Sequence, residues 1–281
     1  YMPCITRARH RRPAMSTVHP IIDIGANLTN PSLIQDLEQI LQRASDVGIS
    51  TIVVTGTDLK ESEKAIQLCT QHPQQLVCTA GVHPHHASDW TADTASQMTQ
   101  LAAQPCVRAI GETGLDFNRN YSPSPAQTDV FRKQLELAIK LNMPVFCHQR
   151  DAHESFISIL KEYRDNLTKV VVHCFTDTKA ALFDYIDLDC HIGITGWICD
   201  ERRGTELQDS VKHIPANRLM LETDAPYLLP RSLLPKPKSR INEPCYLPHI
   251  LQTVAHHQGK SVQNLAAECL ATSQLFFNID N

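Results

Sequence analysis

Lys169-Val170-Val171-Val172-His173 is a run of β-branched residues that stops at a side chain able to bind metal. Three other runs share its form. Val107-Arg108-Ala109-Ile110-Gly111 leads to Glu112, Pro144-Val145-Phe146-Cys147 to His148, and Leu219-Met220-Leu221-Glu222-Thr223 to Asp224. Short apolar runs spaced by longer amphipathic segments are the pattern of parallel strands alternating with helices. Working outward, candidate strands fall at Pro20–Ile24, Thr51–Thr55, Leu76–Val82, Val107–Ile110, Val145–His148, Val170–His173, His191–Ile194 and Leu219–Leu221. Helical periodicity lies between them at Leu33–Val47, Leu59–Gln71, Ala126–Leu141, Ser155–Arg164 and Thr205–His213, and after the last strand at Leu247–His257 and Val262–Leu270. Eight such units predict an α/β fold of the TIM-like (β/α)8 kind, a single domain, rather than an open doubly wound sheet. No G-x-G-x-x-G follows the first strand, which removes the usual dinucleotide fingerprint.

The bulk properties agree. A chain of 281 residues suits a barrel, which needs about 250, and 42% hydrophobic residues can fill its core. No apolar run approaches the ~18 residues of a membrane span, so no membrane association is expected. A net charge of −4 argues against a broad basic face for coating nucleic acid, while leaving room for a local phosphate site. The ten cysteines are scattered without a C-x-x-C pair, so buried free thiols in a reducing cytoplasm are expected. Residues 1–15 are basic, acid-free and aperiodic, lacking the amphipathic pattern of an organelle presequence. Residues 1–19 are therefore expected to be a disordered extension, with Met15 as the natural start, and residues 20–281 the barrel.

In a β/α barrel the carboxyl ends of all strands converge on one mouth. Taken singly, a strand-end His is as readily a satisfied half-buried polar group, and a strand-end acid a helix cap. Four metal-competent residues at the same barrel end are another matter, because each adds desolvation cost at the centre of the molecule. Two imidazoles and two carboxylates from Glu112, His148, His173 and Asp224 make a site for a hard or borderline divalent ion.

Five ordered segments carry a resemblance: Gly81-Val82-His83-Pro84, Gly111-Glu112-Thr113-Gly114-Leu115-Asp116, Pro144 to Arg150, His173-Cys174-Phe175-Thr176, and Glu222-Thr223-Asp224-Ala225-Pro226-Tyr227. Together they resemble the TatD family of metal-dependent nucleases, within the amidohydrolase superfamily of β/α barrels, from about Ile21 to Asn278. Ile194-Thr195-Gly196-Trp197, Arg203-Gly204 and Asn242-Glu243-Pro244 mark the likeness as close. It implies metal ligation by Glu112, His148 and His173, with Asp224 binding metal or its water and acting as general base. It further implies a catalytic part for Glu112 and for His83, which would hold a phosphate oxygen; a structural His before Pro84 is the alternative. The implied activity is a cytoplasmic, divalent-metal-dependent phosphodiesterase acting on DNA and RNA, a 3′-5′ exonuclease on single strands, with DNA repair as its setting.

Two departures stand out. Many barrels of this superfamily carry H-x-H at the end of strand one, where this chain has Gly25 and Asn27 in Asp23-Ile24-Gly25-Ala26-Asn27. A depleted second metal position is expected, with Asp23 and Asn27 offering only oxygen contacts, which suits Mg²⁺, or Mn²⁺, better than a tight zinc pair. Asp177 stands where the family commonly has Gly, and an acid there either repels phosphate or sits in a turn.

Arg119, Arg150, Arg202, Arg203, Arg231 and the run Lys236-Pro237-Lys238-Ser239-Arg240 lie beside the motifs; Arg150, Arg203 and Arg231 are the chosen backbone clamps for a nucleic-acid strand. Phe117, Trp197 and Tyr227 are candidate stacking surfaces for unpaired bases, with packing as the alternative. The segment Pro226 to Pro248 is expected to fold over the mouth. A small-molecule amidohydrolase and a catalytically weak nucleic-acid-binding protein are the competing functions. The missing H-x-H counts against the first, and the joint retention of the four ligands against the second. A monomer with no obligate protein partner is the default expectation.

Overall fold

The computed structural model describes residues 17–280. Residues 1–16, most of the expected extension and including Met15, lie outside the described residues. Eight parallel strands form one sheet in the order β1 to β8: Ile21–Ala26, Ile49–Val54, Leu76–Ala80, Val107–Asp116, Val145–Arg150, Val170–Val172, His191–Ile194 and Leu219–Leu221. Among the described residues ten α-helices accompany them: α1 Pro31–Ile34, α2 Leu37–Asp46, α3 Leu59–Gln71, α4 Thr94–Ala102, α5 Ser124–Leu141, α6 His153–Tyr163, α7 Lys179–Asp187, α8 Thr205–Ser210, α9 Leu247–Gln258 and α10 Val262–Phe277. The ring closes through a parallel bridge between Ala26 and Ala225, where the Asn27 amide donates to Ala225 O (2.8 Å) and the Asp224 amide to Gly25 O (2.8 Å). The fold is therefore the expected (β/α)8 barrel, closed by a seam at its mouth. Among the described residues no helix is long and apolar enough to cross a membrane.

Strand alternation splits the core in two. Ile22, Ile24, Val53, Val77, Ala109, Phe146, Val171 and Met220 point into the barrel, and Phe276 and Phe277 of α10 plug its amino-terminal end. Neighbouring residues such as Ile21, Ile52, Val54, Cys78, Ile110, Val170 and Val172 face outward into the larger core beneath the helices. Helix ends follow local chemistry. Asp58 caps α3 by accepting from the Glu61 amide, Ser261 caps α10 through the Asn264 amide, and Gly259 ends α9 in the left-handed region.

The strand that differs most from expectation is β4, which continues past Ile110 to Asp116. Its pairing with β5 runs Gly111↔Phe146 and then Thr113↔Cys147, so Glu112 is the extra residue of a bulge. A bulge re-aims the side chain it carries. Gly111 makes it possible: its φ is +147°, and a Cβ there would lie 2.2 Å from Phe146 O. The freed Glu112 amide crosses to Gly56 O at 2.8 Å. The periodicity reading also passes over α4 and α7, whose buried faces are slight: Thr94 and Met98 in one, Ala181, Leu182 and Tyr185 in the other.

Candidate metal centre

The mouth holds a cleft of about 550 Å³, lined among others by His83, Glu112, His148, Arg150, Trp197 and Asp224. A larger hollow of about 820 Å³ between α4 and α5 is lined by Lys133, Glu136 and Lys140 but by no histidine, and converges on no chemistry.

Glu112 is the centre of the site. Its Oε1 lies 2.7 Å from His173 Nε2, 3.2 Å from His148 Nδ1 and 3.5 Å from His83 Nε2. Burial pushes its carboxyl up, but the charge of His173 and the hydrogen bonds of His148 and His173 outweigh it and hold the group well below the usual carboxylate range. His173 answers in kind. Burial opposes its charge, yet Glu222 and Glu112, on either side of the ring, raise its pKa well above the ordinary value. Asp224 is pushed up to about 7 by burial, with Glu112 and Glu222 adding to the rise and His173 opposing it. It sits at the seam with φ +55°, in a left-handed conformation that Asp tolerates, and Asn27 Nδ2 donates to its Oδ1 at 3.2 Å.

The other ring atoms fix the histidine tautomers. His148 faces Asp116 Oδ2 through Nε2 at 2.9 Å and Glu112 Oε1 through Nδ1 at 3.2 Å, and these two carboxylates raise its pKa against burial, so Nδ1 offers its lone pair to an ion only on giving up a proton. Asp116 thus orients His148 as carboxylates orient metal-bound imidazoles. His83 Nδ1 accepts the His85 backbone N–H at 3.0 Å, which puts the proton on Nε2. Burial lowers the His83 pKa to about 3, so the ring is neutral and presents a donor toward Glu112.

The donor set fits a divalent cation. His83, Glu112 and His148 form one group of potential ligand atoms within 4.8 Å of one another, and His173, Glu222 and Asp224 a second. With Nδ1 occupied by the His85 amide and Nε2 protonated, His83 has no lone pair for an ion, and Glu112 and His148 remain as the ligands of the first group. His85 Nε2, at the same mouth, lies 3.3 Å from Asp116 Oδ2, so that carboxylate is shared between His85 and His148.

Glu222 and Asp116 are absent from the residues singled out in the sequence, and Glu222 was legible there. Met220 points into the barrel, so the period of two places Glu222 and Asp224 on the same inner face. Two glycines make room for the Glu222 carboxylate: a Cβ on Gly193 would stand 2.2 Å from its Oε2, and one on Gly25 would stand 3.2 Å from its Oε1. The strand-one position without histidine is thus next to space taken by an acid from strand eight.

Several expectations need correction. Asp23 is not a ligand: it is fully buried, with Oδ2 accepting from Thr223 Oγ1 (2.5 Å) and Oδ1 from the Thr223 and Gly25 amides. Asp177 is a turn residue, accepting from Gln149 Nε2 and the Thr178 amide. Phe117 packs against the outer core. Arg150 reaches the cleft, but Arg203 and Arg231 do not line it. Arg203 stacks on Trp197 at 4.1 Å and pairs with Asp200 at 3.0 Å, while Arg231 pairs with Glu201 at 2.8 Å. With Arg202, three guanidiniums face two carboxylates beside the cleft. Tyr227 and Leu228 of the long segment after β8 line the cleft, held by Asn242 Nδ2, which donates to Thr223 O and Tyr227 O. Lys236, Lys238 and Arg240 are exposed and do not line the cleft.

The family described as TatD related DNase matches residues 22–278. The chain is 51% identical over 259 residues to the 3′-5′ ssDNA/RNA exonuclease TatD of Erwinia amylovora, covering 92% of this chain and 100% of the relative. Identity to the protein of the same name from Escherichia coli is 49%, over 92% of this chain and 99% of that one. A solved TatD family hydrolase from Entamoeba histolytica superposes with a TM-score of 0.85 at 28% identity, covering 94% of this chain and 100% of that chain.

Proposed function

Because the chain belongs to the TatD-related DNase family, we propose that it is a divalent-metal-dependent phosphodiesterase that shortens single-stranded DNA, and RNA, from the 3′ end. The observation that carries this reading is the convergence of three imidazole nitrogens within 3.5 Å of one buried carboxylate oxygen, Glu112 Oε1, at the barrel mouth. The relatives' shared name supports the substrate and polarity.

Glu112, His148 through Nδ1, His173 and Asp224 would hold the ion, with Glu222 serving a second position beside His173 and Asp224. When bound, a divalent ion lowers the pKa of water and polarises a phosphoryl oxygen. Asp224, hydrogen-bonded by Asn27, is the carboxylate that accepts the proton of the attacking water. His83 Nε2–H donates to a phosphate oxygen as negative charge grows on it. Arg150 at the cleft neutralises the strand backbone, and exposed Tyr227 offers a face to unpaired bases. Arg203 and Arg231 act at one remove, as part of a cluster with one positive charge in excess. Carboxylate-weighted coordination suits Mg²⁺, with Mn²⁺ as substitute. The protein acts as a cytoplasmic monomer, trimming the unpaired ends that DNA repair produces.

The test is digestion of a 5′-labelled single strand with Mg²⁺, with Mn²⁺ and with chelator, beside a circular single strand and the Glu112→Ala variant. A metal-dependent ladder that spares the circle and vanishes in the variant is the expected result. Cleavage that survives in Glu112→Ala, or none with any divalent ion, would sink the assignment. Asp224→Asn should lose turnover while retaining affinity for the strand. Two stoichiometric zinc ions after mild purification would overturn the metal preference.

A further inference from the structure

We propose that Cys69, Cys78 and Cys106 form a separate three-thiolate site for a thiophilic d10 cation of the Zn(II) or Cu(I) class, on the outer wall of the barrel. The sequence scatters these residues, and the fold collects them. Cys69 lies in the last turns of α3, Cys78 on the outward face of β3, and Cys106 directly before β4. The Cys78 amide donates to Cys106 O at 2.9 Å, so strand pairing itself sets two of the thiols side by side.

The spacing suits an ion better than a disulfide. All three sulfurs lie within 4.8 Å of one another, with Cys78 Sγ and Cys106 Sγ 4.0 Å apart. Bonds of about 2.3 Å to a common ion separate sulfurs by about 4.0 Å in a trigonal plane and about 3.8 Å in a tetrahedron. A disulfide needs about 2.05 Å and would leave the third thiol unused. Among the described residues this is the one all-cysteine group of three.

Charge and access point the same way. Hydrogen bonds from the Cys69 and Cys78 thiols hold the Cys106 thiol low, while the same hydrogen bonding and burial hold Cys69 and Cys78 high, so an ion enters by displacing the protons of those two. Arg108 favours the charged forms of both Cys69 and Cys106, and is anchored by the carbonyls of Pro105, Phe277 and Asn278. Three thiolates, one divalent ion and Arg108 sum to zero; with Cu(I) one negative charge remains. Cys106 is half-buried and gives the ion its entrance, while Cys69 and Cys78 are buried. All-sulfur donors select soft ions, whereas the imidazoles and carboxylates of the mouth accept harder ones. The two sites are thus separable by metal chemistry.

The test uses the full chain, reduced and metal-free, under anaerobic conditions, with one equivalent of Zn(II) or of Cu(I). Alkylation of Cys106 is followed by peptide mass spectrometry, with half-buried Cys245 as internal control. Either ion should slow Cys106 alkylation about tenfold and leave Cys245 unchanged, and Cu(I) should add a thiolate charge-transfer band. Cys69→Ala should abolish the protection, and Cys106→Ser, at the most accessible position, should lower the bound Cu(I) by one equivalent. Thermal melts establish that both variants fold. Equal alkylation rates with and without either ion, or protection that persists in Cys69→Ala, would overturn the proposal.

Discussion

The two ends of this barrel are built from the same eight strands and share almost no chemistry. At the amino-terminal end Phe276 and Phe277 close the bore with apolar rings, and His191 beside them has its Nδ1 unpartnered among the described residues and its ring centroid 4.9 Å from that of Phe276. At the carboxyl-terminal end His83, His85, His148 and His173 crowd Glu112, Asp116, Glu222 and Asp224, and these groups hold each other's charge states. The difference teaches that strand alternation supplies direction only. What a direction means depends on whether it meets a packed plug or an open cleft.

The comparison breaks most severely where the mouth is denied its space. Gly193→Ala drives a methyl group into Glu222 and should cut turnover on a single strand on the order of 10³-fold, read by initial rates in Mg²⁺. A rate within a factor of a few of wild type would mean that Glu222 has no part in the site. At the opposite end, Phe276→Ala opens a cavity in the plug and should cost about 3–4 kcal/mol by urea denaturation. The folded protein should keep its rate, and a parallel loss of turnover would show the ends to be coupled.

Smaller effects sharpen the contrast. Asp116→Asn leaves His148 without its orienting carboxylate and should lower metal affinity and activity roughly 10–100-fold. Metal titration separates this from a folding defect, because the melting temperature of the metal-free protein should change little. The plug has its own pH signature. Burial lowers the His191 pKa to about 4, so its ring binds a proton less readily folded than unfolded. Its contribution is intact above the unfolded value near 6.5 and is lost as pH falls from there toward 4. Denaturation series between pH 7 and 4 should show a shallower decline in His191→Phe than in wild type.

The barrel is legible in the chain, because eight short apolar runs separated by amphipathic segments have few other ways to bury their faces. The sequence also determined that Glu112, His148, His173 and Asp224 share one end, since each follows a strand in the same chain direction. Glu222 was within reach through its spacing from Asp224, but lay inside a run read as apolar. Only the tertiary structure decided the rest. The bulge that turns Glu112 inward depends on a register slip between β4 and β5, which no single strand reveals. The spending of Asp23 on Thr223, and of Arg203 and Arg231 on Asp200 and Glu201, depends on which neighbours arrive first from distant segments. The gathering of Cys69, Cys78 and Cys106 depends on how α3 lies across β3 and β4. Local periodicity fixes which way a side chain points, and only packing fixes what it meets.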